Sequence, residues 1–211
     1  MLESLIQGLL HGLRDLGYPG IVALMALESS VFPVPSELVM SPAGYWVAKG
    51  EMNAVLVVAS GVVGSIIGAL ANYGVAWSLG RAFVRRFGKY VLLSERSLER
   101  SERFFTAHGE ISTLIGRMVP VVRHLISIPA GIARMPLPRF IAYTGAGALI
   151  WCSILTWVGW FLGKHESSLP SADEIQRYTG KVLLVLIPTL VVVVVAYVWW
   201  YRRRTARRAG E

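Results

Sequence analysis

The segment from Val182 to Tyr201 constrains the fold of this chain more than any other feature of its sequence. It reads VLLVLIPTLVVVVVAYVWWY and holds no charged residue in 20 positions. An α-helix of about 20 residues crosses the hydrocarbon core of a bilayer, which is roughly 30 Å thick. The whole chain agrees with this, because 54% of its 211 residues are hydrophobic and only 16% are charged, a more apolar composition than a soluble domain has. The sequence therefore predicts an all-α integral membrane protein.

The charged residues alternate with the apolar segments in a way that predicts topology. Residues 81 to 139 carry eleven Lys and Arg against four acids, and residues 202 to 211 carry five Arg against one acid, whereas residues 1 to 52 carry two basic and five acidic residues. Cytoplasmic loops of membrane proteins are enriched in Lys and Arg. We therefore interpret the net charge of +8 as a topology signal rather than a nucleic-acid surface. We expect a multi-pass membrane protein with a basic cytoplasmic tail at 202 to 211.

Several segments have recognisable helical patterns. The following are apolar and long enough to span the membrane: 53 to 80, 139 to 163 and 182 to 201. Two shorter segments, 1 to 17 and 94 to 105, are amphipathic and are expected at the membrane or protein surface. Glycines in the first spanning segment permit close approach of another helix, within the chain or in a homodimer: Gly61, Gly64 and Gly68. Three tryptophans surround the second near its far end: Trp151, Trp157 and Trp160. The third ends in aromatic residues that are expected to form an interface belt: Trp199, Trp200 and Tyr201.

Two further apolar segments are interrupted by prolines. Residues 18 to 49 contain Pro33, Pro35 and Pro42, and residues 111 to 133 contain Pro120 and Pro129. Proline ends or kinks a helix, so neither half of either segment crosses the bilayer alone. We expect two re-entrant hairpins, the first opening outward and the second inward, which is the arrangement of an inverted-repeat transporter. They would belong to one membrane domain over residues 1 to 201, with its core at 18 to 163.

Four charged residues lie in or beside these broken segments: Glu28, Glu37, Arg117 and Arg123. A charged group at bilayer depth costs about 2.5 to 3.5 kcal/mol on insertion scales, so such groups usually face a cavity and pair with one another. The alternative is that they reach into the headgroups from the mouths of the hairpins. Arginine suits a phosphate because its guanidinium donates two parallel hydrogen bonds. A carboxylate suits proton exchange because burial favours its neutral form.

Other residues are weaker candidates. Tyr73 is expected to bond across helices, His124 is an accessory titrating group or a packing residue, and Cys152 is a packing residue that leaves no intrachain disulfide. The four histidines are too scattered to predict a metal site. Hydrolase, metalloprotease, nucleotide-binding and dinucleotide-binding motifs are missing from the sequence, which therefore predicts neither a catalytic residue nor a cofactor.

Three stretches together resemble the DedA family, also called the SNARE-associated or VTT-domain family. They are ESSVFPVPSELVMSPAGY (28 to 45), GSIIGALANYGVAWSLG (64 to 80) and FFTAHGEISTLIGRMVPVVRHLISIPAGIARMPLPRFIAYTGAGALIW (104 to 151). The third is long and specific, and the resemblance covers roughly residues 18 to 163. It implies two oppositely oriented re-entrant hairpins shaped by prolines and a glycine: Pro33, Pro35, Pro120, Pro129 and Gly131.

The resemblance also implies a function in lipid translocation or proton-linked homeostasis. The PVPSE sequence at 33 to 37 is most similar to bacterial members proposed to return undecaprenyl phosphate to the inner leaflet, which implies a place in the bacterial inner (plasma) membrane. Glu28 and Glu37 match the family's acidic pair, and Arg117 and Arg123 its arginine pair. The chain departs from many relatives at Ala69, where they carry an acid, so proton coupling would depend here on Glu28 and Glu37.

These observations lead to one hypothesis and several rivals. We expect a flippase in which Arg117 and Arg123 bind a lipid phosphate and the acids respond to protons. A proton-coupled cation antiporter and a less selective phospholipid scramblase are the main alternatives, followed by a scaffold without transport. An enzyme acting on lipid phosphate is disfavoured because no nucleophile stands beside a base.

Overall fold

The computed structural model describes residues 16–30, 35–87, 117, 123, 126–165, 174, 177–182 and 184. These residues contain helices and turns and no strand. The helices are α1 (Leu16–Glu28), α2 (Glu37–Ala48), α3 (Ala54–Phe87), α4 (Ser127–Ile132) and α5 (Leu137–His165). The chain divides into two compact units, Met1–Ile175 and Gln176–Glu211. In the second, residues 177–182 are helical and Thr179 is buried.

Some predictions fall outside the described residues. These are the interfacial helix at 1 to 17 apart from its last two residues, the surface helix at 94 to 105, most of the spanning segment at 182 to 201 and the tail at 202 to 211. The assignment of residues 1 to 201 to one membrane domain stays a prediction.

α3 and α5 are the two described helices that are long and apolar enough to cross a membrane, over Ala54–Ser78 and Leu137–His165. Both keep large apolar side chains exposed along their length, among them Val55, Ile67 and Leu149. A helix from the core of a soluble protein would bury such side chains, whereas lipid is an apolar solvent for them. The predicted helices at 53 to 80 and 139 to 163 are thus confirmed. α3 also continues past Gly80 to Phe87, where no proline interrupts it.

α1 and α2 run in opposite directions beside the two long helices. α1 lies along α3 in parallel, because a methyl group on Gly64 would overlap the Val22 carbonyl and one on Gly68 would overlap the Ala26 carbonyl. The backbone N–H of Asn53, just before α3, donates to the Tyr18 hydroxyl (2.9 Å) near the start of α1. The beginning of α1 and the end of α2 therefore lie at the same end of the molecule.

α2 packs on α5 through glycines of both helices. A side chain on Gly44 would overlap the Thr156 carbonyl, and one on Gly159 would overlap the Ser41 carbonyl. Farther along, a Cβ atom on Gly163 would lie 2.8 Å from Ala48 Cβ, so residue numbers rise together from Ser41–Gly159 to Ala48–Gly163 and the helices run parallel. Their backbones touch where the side chain is a single hydrogen atom, which is the small-residue packing of membrane helices.

α3 and α5 run antiparallel, and α4 packs along α3. A Cβ atom on Gly61 would lie 2.9 Å from Cys152 Sγ, whereas one on Gly145 would lie 3.4 Å from Ile66 Cδ1. A Cβ atom on Gly131 in α4 would lie 2.5 Å from the Tyr73 carbonyl. Six buried apolar residues form the core between these elements: Ala69, Tyr73, Ile126, Ala130, Met135 and Phe140.

The prolines divide into two kinds. Pro35 directly precedes Ser36, the residue that caps α2, as expected for a proline that ends one segment before the next helix. Pro129 lies in the first turn of α4, where the missing N–H has no helical partner. The prediction that Pro42 interrupts its segment is wrong, because α2 continues through it. A proline there removes one intrahelical hydrogen bond, a loss that membrane helices tolerate.

Candidate functional site

The Arg123 guanidinium is the centre of a buried polar cluster. It forms an ion pair with the Glu28 carboxylate at the end of α1, and its Nη2 donates to Ser36 Oγ (2.9 Å). Its Cζ lies 5.0 Å from the centre of the Trp151 ring, within cation–π distance. Glu28 is 1% exposed and Arg123 9%. The charge is therefore stabilised by a carboxylate, a hydroxyl and an aromatic face rather than by water.

Ser36 and Trp151 complete the cluster, and neither was expected from the sequence to be part of a site. Trp151 Nε1 donates to Ser36 Oγ (3.0 Å), so that hydroxyl accepts hydrogen bonds from two side chains. The Ser29 hydroxyl donates to Glu28 Oε2 (2.9 Å). The expectation that Trp151 lies near the far end of its helix is wrong, since it lies at the middle of Leu137–His165 and is 4% exposed. Trp157, six residues on, is 55% exposed and has the lipid-facing position.

The cluster lies half-way along a membrane-spanning helix. Trp151 is fourteen residues from each end of α5, which runs from Leu137 to His165. At about 1.5 Å per residue, that places the site roughly 21 Å from either end. The break between α1 and α2 therefore brings a serine and a glutamate to the middle depth of α5.

Arg117 is as deeply buried as Arg123 but is bonded differently. It is 6% exposed, and its Nε and Nη2 have no hydrogen-bond partner among the described residues. Its stem packs on α5, because a Cβ atom on Gly147 would lie 2.8 Å from Arg117 Cβ. A cationic group with two unused donors, held away from bulk water, is a preformed place for an anion.

The two arginines meet the same face of α5. Arg117 contacts Gly147 and Arg123 contacts Trp151, and residues four apart are neighbours on a helix surface, about 6 Å from each other. Both guanidinium groups also lie near the buried Cys152. The arginine pair predicted from the sequence is thus brought to one region of the fold, together with Glu28.

Glu37 is placed differently from the other three charged residues. It is the first residue of α2, next to Ser36, and it is half-buried. It takes part in none of the described contacts of Arg123. The structure therefore does not join the two acids into one cluster.

The remaining candidates support the fold around the site. The Tyr73 hydroxyl donates to the Met135 carbonyl (2.6 Å) and its ring stacks on Phe140, so its hydrogen bond goes to the segment between α4 and α5 rather than to another helix. Asn72 Nδ2 donates to the carbonyls of Ser29 (3.0 Å) and Ser30 (3.3 Å), which satisfies backbone groups just after α1 ends. Three predicted site residues lie outside the described residues: Pro33, Pro120 and His124.

Comparison with protein families identifies the family to which this chain belongs. The VTT domain matches residues 34–161, which include α2 to α4, most of α5 and both arginines. The chain belongs to the VTT-domain (DedA) family. That VTT domain contains Ser36, Glu37, Arg117, Arg123 and Trp151, while Glu28 lies just before it.

Individual relatives of this VTT-domain protein are bacterial. The chain is 34% identical over 186 residues to the uncharacterized membrane protein YkoX of Bacillus subtilis, covering 88% of this chain and 82% of that one. It is 35% identical over 162 residues to undecaprenyl phosphate transporter A of the same species, covering 77% and 80%. Protein DedA of Escherichia coli is 28% identical over 116 residues, covering 54% and 51%. Among solved structures, none matches the chain. The family and these names are those of membrane proteins and transporters.

Proposed function

We propose that this protein is a flippase that moves a polyprenyl phosphate lipid, of the undecaprenyl phosphate type, across the bacterial inner membrane. The observation that carries the proposal is Arg117, a buried cation with two unused hydrogen-bond donors on the membrane-embedded face of α5. A bidentate guanidinium suits the phosphate monoester of such a lipid. The name of the Bacillus subtilis relative supports the same substrate class.

The helix directions support a re-entrant first hairpin. α1 and α2 run oppositely and begin and end at one end of the molecule. They have 13 and 12 residues, about 20 Å of helix each, which is too short to cross a hydrocarbon core of roughly 30 Å. The chain therefore enters from one face and returns to it, with Glu28 and Ser36 flanking the turn.

The second half of the domain would repeat this arrangement in the opposite sense. α4 packs on α3, just as α2 packs on α5. In an inverted repeat the second hairpin opens to the other face, and the two breaks meet near the midplane. The lipid headgroup would reach Arg117 and Arg123 from the outer leaflet and leave to the cytoplasmic one, while its polyprenyl tail stays in lipid beside α5. The basic C-terminal tail would lie in the cytoplasm.

Reconstitution into liposomes tests the proposal. The movement of two fluorescent lipids between the leaflets is measured side by side, with and without a pH gradient. The lipids are undecaprenyl phosphate and phosphatidylethanolamine. We expect movement of the polyprenyl phosphate, reduced at least about tenfold by Arg117→Ala, because a charge-assisted hydrogen bond is worth about 1.5 to 3 kcal/mol. Arg139→Ala, which removes an exposed arginine from the first turn of α5, serves as the matched control and should transport normally.

Each contrary outcome has a distinct meaning. Equal movement of both lipids would indicate a scramblase. A pH-dependent cation flux without movement of either lipid would indicate an antiporter in which the acids are the primary functional groups. Full polyprenyl phosphate transport by Arg117→Ala would refute the phosphate site.

A further inference from the structure

The two buried arginines differ in the partners to which they are already bonded. Arg123 is bonded to Glu28, Ser36 and the face of Trp151. Arg117 has two guanidinium nitrogens without a partner among the described residues. An anion arriving at this face of α5 finds open donors on Arg117, whereas on Arg123 it must replace a carboxylate.

We propose that Arg117 is the first ligand of the transported anion and that the anion then competes with the Glu28 carboxylate for Arg123, so that Glu28 takes up a proton as the anion binds. This rests on the proposed function and assigns its coupling group. The resting cluster holds two guanidinium cations and one carboxylate. Binding of a monoanionic phosphate with one proton on Glu28 leaves the total charge of the site unchanged.

Burial gives the physical reason for the proton. Glu28 is 1% exposed, and a carboxylate separated from its cation in such a place is strongly disfavoured unless it is neutralised. The charged group facing it in the described structure is Arg123, flanked by Ser29 from the end of α1 and Ser36 from the α1–α2 break. Cys152 of α5 faces both arginines. The proton therefore goes to the Glu28 carboxyl, which it leaves when the anion departs and Arg123 returns.

Glu37 provides an internal comparison. It lies on the same break, one residue from Ser36, yet it is half-buried and outside the described contacts of Arg123. Binding of an anion to Arg123 therefore does not separate Glu37 from a partner. The proposal thus assigns coupling to Glu28 and not to Glu37.

Isothermal titration calorimetry with farnesyl phosphate tests this assignment on the detergent-purified full chain. Titrations at one pH in two buffers of different ionisation enthalpy give the number of protons taken up per bound ligand. The ligand's own proton change is common to all variants and cancels in differences. We expect the wild type to take up about one proton more than Glu28→Gln, and Glu37→Gln to match the wild type.

The affinity for farnesyl phosphate provides a second test. Glu28→Gln removes the competitor for Arg123, so farnesyl phosphate should bind roughly tenfold more tightly, within the ~5–150-fold range typical of coupled sites. If Glu28→Gln fails to fold, the double variant Glu28→Gln/Arg123→Gln removes both members of the buried ion pair together, and it should bind weakly through Arg117 without the extra proton.

Two results overturn the inference while leaving the flippase proposal intact: equal proton uptake by wild type and Glu28→Gln, or loss of the extra proton in Glu37→Gln. A wild type that does not bind farnesyl phosphate would overturn both.

Discussion

Ser36 is the residue through which the α1–α2 break is fastened to the middle of α5. Its oxygen accepts hydrogen bonds from Arg123 and from Trp151, residues that lie 87 and 115 positions away in the chain. Both donors are buried, so each depends on this one acceptor or on the neighbouring carboxylate. The Ser36 hydroxyl therefore helps to orient both the Arg123 guanidinium and the Trp151 indole ring.

Replacing Ser36 with alanine should destabilise the protein. The change leaves two buried donors with one acceptor fewer, and an unsatisfied buried polar group costs about 1 to 3 kcal/mol. We expect a lower apparent Tm in detergent and partial rescue by Ser36→Thr, which keeps the hydroxyl. Ser78→Ala, where an exposed hydroxyl donates to the Val75 carbonyl of its own helix, should leave the Tm unchanged. Equal effects of the two alanine variants would contradict the role given to Ser36.

Gly147 makes the space in which the Arg117 side chain lies. Gly147→Ala would place a methyl group 2.8 Å from Arg117 Cβ, and overpacking of this kind costs about 1 to 3 kcal/mol. We expect the variant to insert in the membrane but to lose most polyprenyl phosphate transport, because Arg117 is displaced. Gly145→Ala, whose methyl group would lie 3.4 Å from Ile66 Cδ1, should retain transport in the same liposome assay.

The charges of the site were predictable and their partners were not. Glu28, Arg117 and Arg123 stand out because a charge in an apolar segment is costly and must be paired. Ser36, Trp151 and Gly147 carry no such signal, since serine, tryptophan and glycine are ordinary in membrane helices. Helical periodicity also does not say which face of α5 meets a segment more than a hundred residues earlier. The difference between Glu28 and Glu37 depends on that same tertiary packing.

At the scale of elements, the fold depends on helices that touch backbone to backbone. Each shorter helix packs on a long one: α1 and α4 on α3, and α2 on α5. The glycine spacing of α3 predicted a close neighbour, and α1 is that neighbour. The partner of α2 was not predictable, because its contact uses Gly44 and Gly159 from helices far apart in the sequence. Pro42 was misleading for a related reason: packing of α2 on α5 outweighs the loss of one helical hydrogen bond.

Gly159→Ala should loosen α2 from α5. The added methyl group would overlap the Ser41 carbonyl, so the helices must separate, and we expect a clear fall in apparent Tm. Gly74→Ala in α3 is the matched control, because no atom lies within 4 Å of its added Cβ. That variant should keep or slightly raise the Tm, since alanine favours a helix over glycine by about 1 kcal/mol. Indistinguishable Tm values would argue against the α2–α5 contact.

At the scale of the whole molecule, exposed basic residues lie at opposite ends of α5. Lys164 covers the Trp160 ring at its carboxyl end, and Lys49 covers the Tyr45 ring at the end of the parallel α2. Arg139 lies at the other end, in the first turn of α5. The basic segment before α5 is the one that the charge pattern places in the cytoplasm.

Cysteine labelling in oriented vesicles should reproduce this division. In a Cys152→Ser background, Lys49→Cys and Lys164→Cys should react with an impermeant maleimide from the outer face, and Arg139→Cys only from the cytoplasmic face. The native Cys152, which is buried, should react only after denaturation. Labelling of positions 49 and 164 from opposite faces would contradict a hairpin that returns to the side it enters.

The position of Trp151 half-way along α5 has an electrical consequence. An anion that reaches Arg117 from either surface has crossed about half of the transmembrane voltage, which corresponds to roughly 1 kcal/mol per 100 mV for one elementary charge. Occupancy of the site should therefore respond to voltage whenever the anion travels alone. If Glu28 carries one proton along with each monoanion, the complete passage transfers no net charge. Collapsing the voltage would then leave turnover unchanged, whereas collapsing the pH difference would not.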